Sequence, residues 1–231
     1  MSALTDDLCA WVHTQLERRP LISYPFELDS LPKNGIYFFY ENGEIQNHTV
    51  SGQPRIVRVG THKDGNFRSR IAEHFLLDKR KMVFDINKRA PHDRSIFRKH
   101  VGRALLKRDK SEYLKIWDLD FTTPAIRESY QNLRNIQIEI DVELEVTRIL
   151  RDTFSFRYIE IQGEKDRIGE NGLEKALIGT LAQCSCCTSS LNWLGRHSPS
   201  PRIFMGHLWL IQHLRASPLT KQQLQAILVA I

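Results

Sequence analysis

A phenol at Tyr37, a guanidinium at Arg70, an imidazole at His74 and a carboxylate at Glu174 are the side chains of this 231-residue sequence whose types and order best suit a reaction. Hydrolysis of a phosphodiester asks for four things. A base or positioned phenol activates water, a cation stabilises charge on the phosphorane, a metal holds the phosphate and leaving oxygen, and the strand is gripped. Arg70 and His74 stand one helical turn apart, so both can face one pocket, whereas Arg68 points to the other side of the same helix. Each residue also has a plainer explanation. A tyrosine in a Phe-rich strand packs as core with its hydroxyl at the edge, Arg-x-x-x-His pairs are common on exposed faces, and a glutamate in a first helical turn interacts with the helix dipole. Glu164 and Glu170 compete with Glu174 for the carboxylate role.

Positioning these groups requires two strands and two helices. Pro32-Lys33-Asn34-Gly35 is a turn signal, and Ile36-Tyr37-Phe38-Phe39-Tyr40 is a run of strong β-formers ending at the hairpin signal Asn42-Gly43. Arg55-Ile56-Val57-Arg58-Val59 predicts a second strand. Alternation would put Val57 and Val59 on one face, and Ile56 and Arg58 on the other. Gly60 to Gly65 closes it as a loop, and residues 67–77 predict a helix with Phe67, Ile71 and Phe75 at four-residue spacing. An amphipathic helix at 5–18, stopped by Pro20, precedes all of this.

Downstream, residues 78–93 read as irregular and basic, and 95–108 as a helix built on Ile96, Phe97, Val101, Leu105 and Leu106. Its Lys99, Arg103 and Lys107 fall on one stripe at i, i+4, i+8, a spacing that can track a phosphate backbone. The segment 136–146 alternates apolar and polar residues, which predicts a strand to about Asp141 and a helix beyond it. A strand at 154–161 follows, then a core helix at 172–183 on Leu173, Leu177 and Leu181. Pro199 and Pro201 break the chain before an apolar stretch around 204–214, and a closing helix spans 219–231. The expected architecture is a single α/β (α+β) domain over 1–231, a small antiparallel sheet flanked by helices. Its parts are an N-terminal helix and linker (1–30), the motif strands and first helix (31–78), a basic helical insertion (79–135) and a second half (136–231).

Composition narrows the classes. An apolar fraction of 41%, with eleven Phe and four Trp, supports a full core, and no apolar run is long enough to span a membrane. The N-terminus lacks the order of a signal peptide, so a cytoplasmic protein is expected. The net charge of +6 is concentrated: between Lys79 and Lys110, twelve Lys or Arg face three Asp, a local +9 that leaves −3 for the rest. That is the footprint of a polyanion partner, or of an ordinary solvated basic face. The four cysteines, at 9, 184, 186 and 187, suit a reducing compartment. The last three can in principle ligate zinc. With no second Cys-x-x-Cys in the chain, they read instead as small residues at a helix end.

The succession Gly35-Ile36-Tyr37, Arg58-Val59-Gly60, Arg70 and His74, then Glu174 at the head of an apolar helix, resembles the GIY-YIG endonuclease family. The chain would be a divergent member, with Arg58 where the family's second motif has tyrosine. The resemblance implies that Tyr37 orients or deprotonates the attacking water, that Arg70 clamps non-bridging phosphate oxygens, and that His74 contacts the reacting centre or acts as base. Glu174 would bind Mg²⁺ (or Mn²⁺), and Asn192, eighteen residues on, matches the asparagine that often follows that ligand, across a longer gap than usual. Arg58 can serve as a second phosphate ligand but not readily as a base, leaving Tyr37, His74 or His62 to move the proton. The implied activity is metal-dependent cleavage of DNA, RNA remaining open. Double-strand cleavage by a single site would favour a homodimer or sequential nicking. Two other readings stand beside it: a catalytically impaired nucleic-acid-binding relative, and a protein-interaction domain with a basic surface.

Overall fold

A computed structural model describes residues 3–48, 52–78 and 83–231; the start of the basic stretch, 79–82, lies outside them. Four antiparallel strands form one sheet in the order β1-β4-β2-β3, with β1 at Ile22–Ser23, β2 at Ile36–Ile45, β3 at Pro54–Gly60 and β4 at Phe154–Ile159. β2 is central and buried on both faces, which is why it reads Ile-Tyr-Phe-Phe-Tyr rather than alternating with polar residues. Ile36, Phe38 and Tyr40 pack against α1 (Ala3–Leu16) and, later in the chain, against the helices at Leu173–Ala182 and Lys221–Ala230. Tyr37 and Phe39 point the other way, onto α2 (Phe67–Phe75) and two further helices, at Ile96–Arg108 and Ile136–Thr153. Numbered in chain order, with short helices at Pro91–Arg94, Leu114–Trp117, Pro124–Tyr130, Glu164–Arg167 and Pro201–Gly206 as α3, α5, α6, α8 and α10, the longer helices after α2 are α4, α7, α9 and α11.

Several sequence expectations change. Residues 136–141 are not a strand: α7 is one helix of 18 residues, started by Asn135, whose side chain accepts from the Gln137 and Ile138 amides. Its buried positions include Glu139, Glu143, Val146, Thr147 and Leu150, a helical spacing. Two of them are glutamates, held inside by Arg134 (2.6 Å) and Arg98 (2.5 Å), so hydrophobicity alone hid the period. The segment expected as a basic insertion is also part of the core: Phe97, Val101, Ala104 and Leu105 of α4 share a cluster with Tyr37 and Phe39. The hairpin does not turn at Asn42-Gly43. β2 runs on to Ile45, with Gly43 at φ +85°, and the connection to β3 comes after it.

β3 does not alternate as expected, because a bulge at Val57 intervenes: Phe39 pairs with Arg58, but Tyr40 pairs with Ile56. Ile56 and Val59 therefore face α1 and α9, while Val57 and Arg58 face α4. The bulge frees the Val57 carbonyl on this edge strand, and the Trp209 amide takes it at 2.7 Å. The stretch expected to be apolar around 204–214 thus begins within α10 and continues as a strap across the sheet edge.

The strap is fastened at the far end of β2 by Glu41, whose Oε2 accepts the indole N–H of Trp209 (2.9 Å) and of Trp193 (2.8 Å). Burial pushes the Glu41 carboxyl from 4.5 up to about 7, against the two donors. A carboxyl raised on folding stabilises fully when protonated in both states, and that contribution is lost as pH rises from 4.5 through 7, by about 3 kcal/mol in total. Chemical denaturation of wild type and Glu41→Gln at pH 5 and pH 8 checks this. Ionisations common to both proteins cancel, so the difference between them isolates Glu41: the variant should gain about 2.5 kcal/mol relative to wild type between those two pH values.

Candidate active site

Tyr37 sits at the start of β2, opposite Gly60 at the end of β3 and Tyr158 on β4. The two motif glycines are steric requirements of this corner. A Cβ on Gly60 would lie 2.3 Å from the Tyr37 Oη, and one on Gly35 would lie 2.6 Å from the Ile159 carbonyl oxygen. The phenol therefore lies flat over the end of the partner strand and reaches α2, where its hydroxyl meets His74 Nε2 at 2.9 Å. His74 Nδ1 in turn meets Ser95 Oγ at 2.8 Å, the N-cap of α4, which also accepts from the Arg98 amide.

Burial, and then the positive charges of Arg58, Arg70 and Arg98, hold the His74 imidazole well below its usual range, so it is neutral. Its two contacts then admit two proton arrangements. With Nδ1–H donating to Ser95, Nε2 accepts the Tyr37 hydroxyl; with Nε2–H donating to the Tyr37 oxygen, Nδ1 accepts from Ser95. Either way sheet, α2 and α4 are joined by one chain of hydrogen bonds. Burial also pushes the Tyr37 phenol up, opposed by Arg58 and Arg70.

Arg58 lies on the same face of the sheet as Tyr37, as its pairing opposite Phe39 requires. Its guanidinium stacks 4.8 Å above the Phe97 ring and donates through Nη1 to the Trp209 carbonyl (2.5 Å), while its buried Nε has no partner. It forms no ion pair among the described residues, and burial pulls its pKa down. Arg70 is on the same face of α2 as His74. Its Nη1 is held by Glu73 (2.8 Å) and by the Arg94 carbonyl (3.0 Å), and the side chain remains about one-third exposed. Arg68 points away and fastens the turn at 28–30 through Leu31 and Asp29.

Glu174 is in the first turn of α9, half-buried, and its Oε1 accepts the Thr61 amide at 3.1 Å. Thr61 bonds through its hydroxyl to the Gly35 carbonyl (2.8 Å), so one residue ties the first motif, the second motif and the carboxylate together. Burial raises Glu174, opposed by the Thr61 amide and by Arg58, His213 and Arg70. Its rivals are engaged elsewhere: Glu164 accepts the Asp64 amide, and Glu170 pairs with Lys175 at 2.6 Å. His62, in the loop after β3, contacts the Lys63 carbonyl through Nδ1 (2.6 Å), and its buried Nε2 has no partner.

The structure thus brings Tyr37, Arg58, Arg70, His74 and Glu174 to one corner. Asn192 is not among them. It is exposed on the turn before Trp193, whose indole binds Glu41, four residues along β2 from Tyr37. Nor is the stripe on α4 a free cationic face. Lys99 is buried on Asp93 (3.2 Å) and the Leu119 carbonyl (2.6 Å), Arg103 is bonded to Asp118, and Lys107, though exposed, reaches the Ser198 carbonyl at 3.3 Å. Thr61, Ser95 and Trp209 are the site residues that sequence reasoning missed. Ser95 carried a signal, a serine directly before an apolar helical run; Thr61 and Trp209 act largely through backbone atoms, which residue type does not mark.

Gly60→Ala forces the phenol off its seat. It is expected to lose about 1–3 kcal/mol of stability, read by denaturation. Tyr37→Phe, which leaves the His74 nitrogen without its partner, should cost a similar amount, about 1–3 kcal/mol.

No curated protein and no solved structure gave a significant match. The family model described as GIY-YIG domain matches residues 10–229, nearly the whole chain. The first motif, the modified second motif, the Arg-x-x-x-His helix and the glutamate helix all fall within that span, and the chain belongs to the GIY-YIG nuclease family.

Proposed function

We propose that the chain is a divalent-metal-dependent endonuclease hydrolysing DNA phosphodiester bonds. The observation that carries this reading is Arg58: a buried guanidinium without an ion pair, beside Tyr37, Arg70 and Glu174. An uncompensated buried charge is costly, and a phosphate entering the corner removes that cost. Of the other buried arginines, Arg55, Arg98, Arg134 and Arg167 each meet a carboxylate, and Arg157 donates to the Arg19 carbonyl and lies over the Tyr40 ring.

Arg58 and Arg70 approach the phosphate from β3 and α2. Arg70 keeps Nε and Nη2 available for non-bridging oxygens, a fork geometry suited to phosphate. Activation of water falls to the Tyr37–His74 pair, which stays uncharged at neutral pH and can pass a proton along the bond it already makes. His62 Nε2 is a second acceptor near the rim. Glu174 fits a hard divalent cation: one carboxylate oxygen is fixed by Thr61 and the other has no hydrogen-bond partner among the described residues, and a single carboxylate with water and phosphate oxygens is an ordinary Mg²⁺ or Mn²⁺ donor set. When bound, such an ion supplies Lewis-acid stabilisation of the phosphate and leaving oxygen. Arg89, Lys107 and Lys110 of the basic stretch remain exposed and can contact the backbone. One site per chain cuts both strands through a second copy or by two successive nicks.

The test is nicking of supercoiled plasmid and mixed genomic DNA with Mg²⁺, Mn²⁺ or neither. Wild type should nick only with metal. Glu174→Gln and Arg58→Gln should each lose about 10²-fold or more in rate, with salt-sensitive DNA binding retained. A wild-type protein that binds DNA but cuts neither substrate would establish the binding-only relative, with Arg58 in place of the motif tyrosine as its cause.

A further inference from the structure

At the opposite end of α9 from Glu174, three segments distant in sequence bring sulfur and imidazole together. Cys9 is on α1, His48 is in the β2–β3 connection, and Cys184 and Cys187 follow α9. The ligand atoms of Cys9, His13, His48 and Cys187 lie within 4.8 Å of one another, and those of His48, Cys184 and Cys186 form a second such group sharing His48. Cys9 and Cys187 Sγ are 3.6 Å apart, and Cys184 Sγ is 3.2 Å from His48 Nε2. The Cys184 thiol is near enough to those of Cys9 and Cys187 to interact with both. No disulfide forms among them.

We propose that Cys9, His48, Cys184 and Cys187 bind one zinc ion as a closed, structural tetrahedral site, independent of the nuclease reading. Zinc–sulfur bonds of about 2.3 Å and zinc–nitrogen bonds of about 2.0–2.1 Å place tetrahedral ligands about 3.6–3.8 Å apart, a separation that Cys9 and Cys187 already have (3.6 Å) and that Cys184 and His48 (3.2 Å) come close to. His13 is excluded from the set. Its Nε2 accepts the Ile56 amide at 3.2 Å, which leaves Nδ1–H to donate to the Cys9 carbonyl at 2.9 Å, so neither nitrogen is available. Cys186 is grouped with His48 and Cys184 but not with Cys9 and Cys187, and its backbone amide donates to Cys184 Sγ at 3.3 Å, an outer-sphere contact of the kind that stabilises a coordinating thiolate. Asp6 fixes the loop to α1 by accepting from the Ser185 amide (2.7 Å) and hydroxyl (2.6 Å). On binding, the three thiols release their protons to solvent and three zinc–sulfur bonds form.

The full-length protein, purified from zinc-supplemented cells without chelator, should carry about one zinc per chain by elemental analysis and native mass spectrometry. Replacement by Co²⁺ should give the thiolate-to-cobalt charge-transfer band and intense visible bands of a tetrahedral site. Cys187→Ser and His48→Ala should lose the metal, and Cys186→Ser should keep it; should the first two fail to fold, the wild-type cobalt spectrum and the Cys186→Ser stoichiometry still decide. Zinc-free wild type with four reactive thiols, a disulfide among these cysteines, or zinc lost in Cys186→Ser but kept in Cys187→Ser would each overturn the proposal.

Discussion

The hydrogen bond between the Tyr37 hydroxyl and His74 Nε2 is the contact on which the rest of the corner depends. It is made inside a core buried on both faces of the sheet, where an unpaired hydroxyl or imidazole nitrogen is costly. The bond therefore constrains everything around it. Gly60 must be glycine so that the phenol can lie across the strand end, α2 must approach closely enough to present His74, and α4 must begin at Ser95 to occupy the second ring nitrogen. A helix that looked like an accessory by sequence is thereby committed to the site, and Phe97, in its first turn, forms the floor beneath Arg58.

Charge is the second constraint, and it separates scaffold from function. Arg98 is wholly buried, yet it is satisfied by Glu143, the Thr147 hydroxyl and the His74 carbonyl, a network that fastens α4 to α7 and α2. Arg55 is likewise met by Glu44. Such pairs specify how elements dock more than they stabilise, since desolvation offsets much of the attraction. Arg58 has the burial of this group without the compensation. In the proposed reaction that charge would receive the phosphate, since an incoming anion supplies the compensation the fold does not.

How much of this was legible in the sequence follows from where each signal resides. The motif strands, the Arg70–His74 helix and the Glu174 helix declared themselves by residue type and order, because steric and chemical demands fall on the side chains themselves. α7 did not, because Glu139 and Glu143 stand at buried positions and masked the helical period. The α4 stripe misled for the converse reason: lysine and arginine read as solvated, whereas Lys99 is neutralised inside by Asp93. The bulge at Val57 shifted the face of half a strand and has no residue signature, since it is stabilised by the Trp209 amide from another part of the chain. Cysteine spacing failed too: Cys9 and His48 stand far from the Cys184–Cys187 run in sequence, so no local motif could record their meeting.

These strands of argument converge on α9. Its first turn holds Glu174 against the Thr61 amide, and its last turn leads into the thiol cluster. Thr61 is fixed to the sheet by the Gly35 carbonyl, so the carboxylate has a defined partner at one end only; a ten-residue helix anchored at one end can still pivot. The contacts that oppose pivoting are apolar packing of Leu173, Leu177 and Leu181 against β2 and α1, which is non-directional, and directional ones at its far end: Thr180 Oγ1 accepts the Leu219 amide, Gln183 donates to the Ala216 carbonyl, and Asp6 accepts from Ser185. In the metal-binding role proposed for it, Glu174 would have to be held to within a fraction of an ångström of its working position, and directional restraint supplies that precision where packing alone does not. The arrangement at the far end of the helix is thus part of what keeps Glu174 facing Arg58 and Tyr37.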